Sequence, residues 1–157
     1  MHSGKIMHYA IITAMASIFA AAPLASFAVQ GKKAAHPVKA VKEAKKKVVI
    51  QVSDADPKKW ALALNNAANV QEDLGKENVA IEIVAYGPGL GMLKLESEAA
   101  EGVKNALEKG VKVVACENTM HKQKLSQADL LPNLNYAKAG VVEIMSKQAE
   151  GYAYIRP

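Results

Sequence analysis

Val111-Lys112-Val113-Val114-Ala115-Cys116-Glu117-Asn118-Thr119 is the stretch that decides the fold. A β-branched run that is apolar without strict alternation belongs to a strand covered on both faces, as in a parallel sheet. Residues 48–53 (VVIQVS) and 79–86 (VAIEIVAY) repeat the pattern. Between these runs lie helical stretches. Asp56 followed by Pro57 is a helix start, a capping side chain before a proline at the first helical position, and the helix it opens runs to Leu74 and stops at Gly75. Its inward stripe is Trp60, Leu64 and Ala67, with Ala63, Val70 and Leu74 alongside. A second helix spans residues 97–109 and turns Ala99, Val103, Ala106 and Leu107 inward, a short third helix spans 118–125, and residues 126–132 form an irregular acidic turn around Asp129. A weak strand at 134–138 precedes a last helix from Gly140 to Gly151, with Val141, Ile144, Met145 and Ala149 on one side, and residues 152–155 make a fifth strand. Strand and helix in alternation predict a three-layer α/β/α sandwich around a mainly parallel, five-stranded sheet, because parallel neighbours need crossovers and the crossovers supply both covering layers.

Ligands of such sheets sit beyond the carboxyl ends of the strands. Three loops therefore matter: residues 53–56, 86–92 and 116–121. Cys116 ends a strand and precedes a helix, where unpaired N–H groups and the helix dipole favour thiolate; Glu117 opposes that, and a buried cysteine acting as a small apolar residue is the alternative. His121 lies five residues on, which is not the spacing of a helical pair. Cys116, Met120 and His121 are together soft enough to suggest copper(I), although no second cluster supports a metal. The segment Gly87-Pro88-Gly89-Leu90-Gly91-Met92 is neither a dinucleotide fingerprint nor a phosphate loop, but can present N–H groups to a small anion or serve as a tight loop. Asp56 reads as a cap and Asp54 as a turn residue. Asn65, Asn66 and Asn69 are weak helix formers inside a helix and either meet solvent or reach a subunit contact or the site. No Cys-x-x-Cys and no nucleophile, base and acid series occurs, so dithiol and hydrolase chemistry have no support.

The amino terminus carries a different message. Lys5 precedes an apolar run over residues 9–22, and Ser26-Phe27-Ala28 has the small residues of a cleavage site. We expect residues 1–28 to be a signal peptide cleaved after Ala28, giving a periplasmic or secreted protein; the run is broken by Pro23 and falls short of the roughly 18–20 residues of a membrane span. The 129 residues after Ala28 suit one domain. Residues 31–47 hold seven lysines against the single Glu43, whereas residues 48–157 are net −2, so the formal charge of +5 belongs to the tail. We read residues 29–47 as a lysine-rich flexible linker, either a solvated spacer or an attachment to an anionic surface. Nucleic acid is not the expected partner of a slightly acidic body poor in aromatic residues. A single cysteine cannot form an internal disulfide.

The segments VVIQVSDADPKKWALALNNAANV, IEIVAYGPGLGML, GVKVVACENTMHKQKL and DLLPNLNYAKAGVVEIMSKQAEGYAYIRP, in this order over residues 48–157, resemble the DsrE/DsrF-like family, in particular its small single-cysteine members. The resemblance implies an α/β sandwich with a five-stranded parallel sheet, a homo-oligomer (trimer or hexamer) and a link to sulfur metabolism, in which a cysteine takes sulfane sulfur as a persulfide and passes it on. The relay members carry that cysteine after the second strand, where this chain has residues 87–93 and no thiol, and they are cytoplasmic. Cys116 matches instead the cysteine of the Ala-Cys-x-Asn-Thr segment of nearer relatives. The expectation is an exported carrier of a small sulfur anion on Cys116, delivering to an acceptor thiol protein, with Asn118, Thr119, Tyr86, Gly87, Gly89, Asn66, Asn69 and His121 around the sulfur and no cofactor or metal implied. The alternative is a binding or scaffold oligomer in which Cys116 is a packing residue.

Overall fold

A computed structural model describes residues 45–157. The expected signal segment, and the lysine-rich stretch up to residue 44, lie outside the described residues. The sheet consists of β1 (Lys46–Val52), β2 (Val79–Ala85), β3 (Lys112–Cys116), β4 (Asn135–Ala137) and β5 (Ala153–Ile155), all parallel in the order β4-β3-β2-β1-β5. Lys46 and Lys47, expected in the linker, are the first two residues of β1. The helices are α1 (Pro57–Leu74), α2 (Ala100–Glu108), α3 (Glu117–Gln123) and α4 (Gly140–Ala149). The expected α/β sandwich is therefore present, with the five strands where the sequence placed them.

α1 has the bounds its punctuation dictates: the Asp56 carboxylate accepts from the Lys58 N–H at 2.9 Å, and Gly75 at φ +80 ends it. The glycine-rich segment is not an open loop but a 3₁₀ helix, Gly87–Leu93, whose Leu90, Met92 and Leu93 are fully buried. Gly89 is obligatory there, because a Cβ would run into the Val52 carbonyl.

Strand alternation divides the core in two. Val48, Ile50, Val52, Ile81, Ile83, Ala85, Val113 and Ala115 point to one face, where Trp60, Ala63 and Ala67 of α1, Val103 and Ala106 of α2 and the 3₁₀ segment cover them. The other face holds Val49, Val84, Val114 and Ile144, the last from α4. There the expected inward side of α4 needs correction. Ile144 is buried, but Val141 and Met145 are 53% and 63% exposed, and Ala149 is exposed as well. Leu74, expected along the α1 stripe, is also exposed.

Candidate functional site

The chain leaves β3 into α3, whose Met120 packs into the α1 side of the core, and leaves β4 into α4 on the opposite face. Exits that diverge between neighbouring parallel strands open a crevice at their carboxyl ends, the usual ligand position in such sheets. Cys116 stands there, paired in register with Ala137 of β4. It is the residue before the first turn of α3, with extended φ and ψ.

Cys116 is 4% exposed, and its sulfur sits in a cradle of hydrogen-bond donors. The Gly140 N–H, first in α4, donates to Sγ at 3.3 Å, and Sγ faces the Lys138 carbonyl at 4.0 Å. The Thr119 hydroxyl and the N–H groups of Thr119 and Asn118 lie near enough to favour its thiolate. Burial pushes the thiol pKa up, but these hydrogen bonds outweigh it and hold the thiol below its ordinary value. Asn118 N–H also donates to the Lys138 carbonyl at 3.0 Å, tying α3 to the end of β4.

Thr119 is only 8% exposed. Its Oγ1 accepts from the Gly87 N–H at 2.9 Å, which leaves the hydroxyl hydrogen for the sulfur. Gln123, one turn along α3, donates to the Gly87 carbonyl at 3.1 Å. The expectation that the 87–92 segment offers its N–H groups to a sulfur anion is corrected here: that of Gly87 serves Thr119 and that of Gly89 serves the Tyr86 carbonyl at 3.1 Å. The segment supports the cradle at one remove.

The other expected residues divide. Tyr86 is half-buried beside the site; a Cβ on Gly140 would stand 2.9 Å from its own Cβ, so α4 can begin this close to the sheet only with glycine. Burial, then the neighbouring Tyr154, raises the Tyr86 pKa. Asn118 is exposed at the mouth. Asn66 and Asn69 sit on α1, over the face away from Cys116, and do not join it. His121 is exposed on α3 while Met120 is buried in the core, and among the described residues no three His, Cys, Asp or Glu side chains are grouped to hold a metal ion. Sequence reasoning missed Gly140, Lys138 and Gln123; an Ala-Gly pair opening a helix after a strand was the available signal for the first. A surface depression of about 460 Å³, lined by Asn118, Tyr136, Lys138, Ala139, Val142 and Glu143 among others, opens next to the cradle.

The DsrE/DsrF-like family model matches residues 46–157. The chain belongs to the DsrE/DsrF-like family. Among solved structures it is similar to the protein of unknown function MTH1491 from Methanobacterium thermoautotrophicum, at 35% identity and a TM-score of 0.68, over 72% of this chain and 100% of that one. Two more share the DsrE-like fold at low identity: BT1422 from Bacteroides thetaiotaomicron, described as a conserved protein of unknown function (12%, TM-score 0.55, 71% of this chain and 95% of that one), and ychN from E. coli (11%, TM-score 0.57, 72% and 99%). No curated protein matches the sequence. Membership gives the chain a fold related to sulfur relay, and Cys116 is the single cysteine of its sequence.

Proposed function

We propose that this DsrE-like protein carries sulfane sulfur on Cys116. The observation that supports the reading is the cradle: a cysteine kept only for packing has no use for donors from α3 and α4 that favour its thiolate against burial. The thiolate attacks the outer sulfur of a persulfide donor RSS⁻; the new bond is Cys116 Sγ–S, the donor S–S bond breaks, and RS⁻ leaves. The cradle donors then face the Cys116 persulfide anion. An acceptor thiolate attacks its terminal sulfur, takes it as a new persulfide, and returns Cys116 as thiolate. No external oxidant is needed, because the sulfane sulfur moves between thiolates at one oxidation level. Thr119 and Gly140 hold the charge, Tyr86 seats the start of α4, and Asn118 stands at the entrance.

The exported location and the homo-oligomer belong to the same proposal. The signal-like residues 1–28 support export, and the exposed Val141, Val142 and Met145 support a second copy over α4. The lysine-rich stretch would then hold the assembly near anionic surfaces. One observation favours a second reading, an oligomeric scaffold with an inert thiol: Cys116 is only 4% exposed. Intact mass after exposure to a polysulfide separates the two. The carrier gains one sulfur atom on Cys116, removable by reductant and absent in Cys116→Ser; a native protein that neither gains sulfur nor alkylates until unfolded is the scaffold.

A further inference from the structure

β2 is apolar over Val79–Ala85 except at Glu82. Strand alternation turns Glu82 to the face under α4, between Val49 of β1 and Lys112 of β3. It is 2% exposed. Its Oε2 meets Lys112 Nζ at 3.1 Å, while Oε1 is sealed from solvent with no donor in reach. Glu143 of α4 reaches the same Lys112 ammonium, which sets the two carboxyl groups side by side around it. Two carboxylates only accept, so they bond each other only with a proton between them.

The surrounding charges leave that gap open. Lys112 lies 3.8 Å from Glu143 Oε1 and its side chain is 44% exposed. From α4, Lys147 is 3.8 Å from the same oxygen but closer, at 3.1 Å, to Glu150. From β1, Lys47 bonds the Glu150 carbonyl at 3.1 Å and lies over the Tyr152 ring.

We propose that Glu82 and Glu143 share one proton, and that this shared proton latches α4 onto the sheet as a pH-sensitive control on Cys116. Glu143 is next to Ile144, the only large α4 side chain buried in the sheet, and one turn from Gly140, whose N–H holds the sulfur. With the proton in place α4 is seated and the thiol sealed. Without it two carboxylates crowd around the half-exposed Lys112, with Lys147 drawn toward Glu150, α4 lifts, and the flank lined by Val142 and Glu143 opens toward Cys116. Burial first, then Glu143, raise the Glu82 pKa against the opposing Lys112. The latch therefore contributes fully below pH 4.5, the ordinary glutamate value, and is lost as pH rises through the folded value. It stands on Glu82 and α4 alone; only its consequence for sulfur transfer rests on the carrier reading.

Carboxyl NMR of the mature protein labelled in glutamate tests it, together with the rate of Cys116 alkylation against pH. Glu82 should titrate above its ordinary value, and Glu143→Gln, which removes the like charge, should lower that midpoint by about one unit. Alkylation corrected for thiolate fraction should rise across the Glu82 midpoint in the wild type and stay flat in Glu82→Gln, whose amide donates to Glu143 at every pH. A Glu82 midpoint at or below the ordinary value, or one unmoved by Glu143→Gln, overturns the shared proton. Equal alkylation profiles in wild type and Glu82→Gln overturn the control on Cys116. A raised midpoint that Glu143→Gln lowers, in a native protein that resists alkylation at every pH, keeps the shared proton but overturns both its control on Cys116 and the carrier reading.

Discussion

The two faces of the sheet are built from the same strands and differ in almost everything else. Under α1 and α2, alternate residues of β1, β2 and β3 meet a filled layer in which Ile50, Ile83, Leu90, Met92 and Leu93 lose essentially all contact with water. Under α4, three valines meet Ile144, a glutamate is buried among them, and the helix shows Val141, Val142 and Met145 to the outside. The first face holds the fold together; the second holds the thiol. The largest expected effect tests this division. Leu93→Ala should cost about 2–5 kcal/mol, the range of a large truncation in a close-packed core, and leave the alkylation pH profile of Cys116 in place. Ile144→Ala should fall at about 2 kcal/mol, the bottom of that range, because its surroundings collapse more readily, yet raise the thiol pKa by loosening Gly140. Denaturant midpoints at constant slope measure both. Equal costs with equal thiol behaviour would erase the distinction between the faces.

Thr119 links the faces, because it joins the 3₁₀ segment of the first to the sulfur of the second. Thr119→Val keeps the shape, removes the hydroxyl and leaves the Gly87 N–H without its acceptor. The expected cost is about 1–3 kcal/mol, the penalty of a buried unpaired polar group, together with a thiol pKa that moves up toward the ordinary value. Thr119→Ser should restore both. A valine variant that loses stability while the thiol pKa stays put would make Thr119 a structural fastener only.

The thiol itself supplies a pH dependence of the opposite sign to that of Glu82. Its pKa is lowered in the folded state, so the stability it contributes is present above the unfolded thiol value, about 8.5, and is lost as pH falls through the lower folded value. Unfolding free energy should thus rise with pH through that window, by about 1.4 kcal/mol for each unit of depression, and Cys116→Ser should flatten the rise. The same slope in Cys116→Ser would mean that another group titrates there.

How much of this was legible in the sequence follows the same division. α1 could be bounded to the residue because Asp56-Pro57 and Gly75 are local signals, and β1, β2 and β3 could be read because strands covered on both faces are continuously apolar. Cys116 could be placed at a strand end for the same reason. Gly140 as a sulfur donor could not, since its N–H reaches Cys116 across 24 residues through the pairing of β3 with β4 and the way α4 leaves. The inward side of α4 was misread because helical spacing groups Val141 with Ile144 and Met145, whereas the sheet is met mainly by Ile144. Glu82 passed unnoticed inside a convincing strand, and only its depth gives it meaning.

Met145 gives the smallest effect on folding and the sharpest reading of the second face. At 63% exposure it contributes little to the fold of one copy, so Met145→Lys should change unfolding free energy by no more than about 0.5 kcal/mol in either direction. On the α1 side a comparable change at a buried position would be severe. If a second copy covers α4, the same lysine places a charge in an apolar contact, and light scattering should report a smaller particle from the variant than from the wild type at equal concentration. Unchanged mass with unchanged stability would mean that Val141, Val142 and Met145 face water in the working protein.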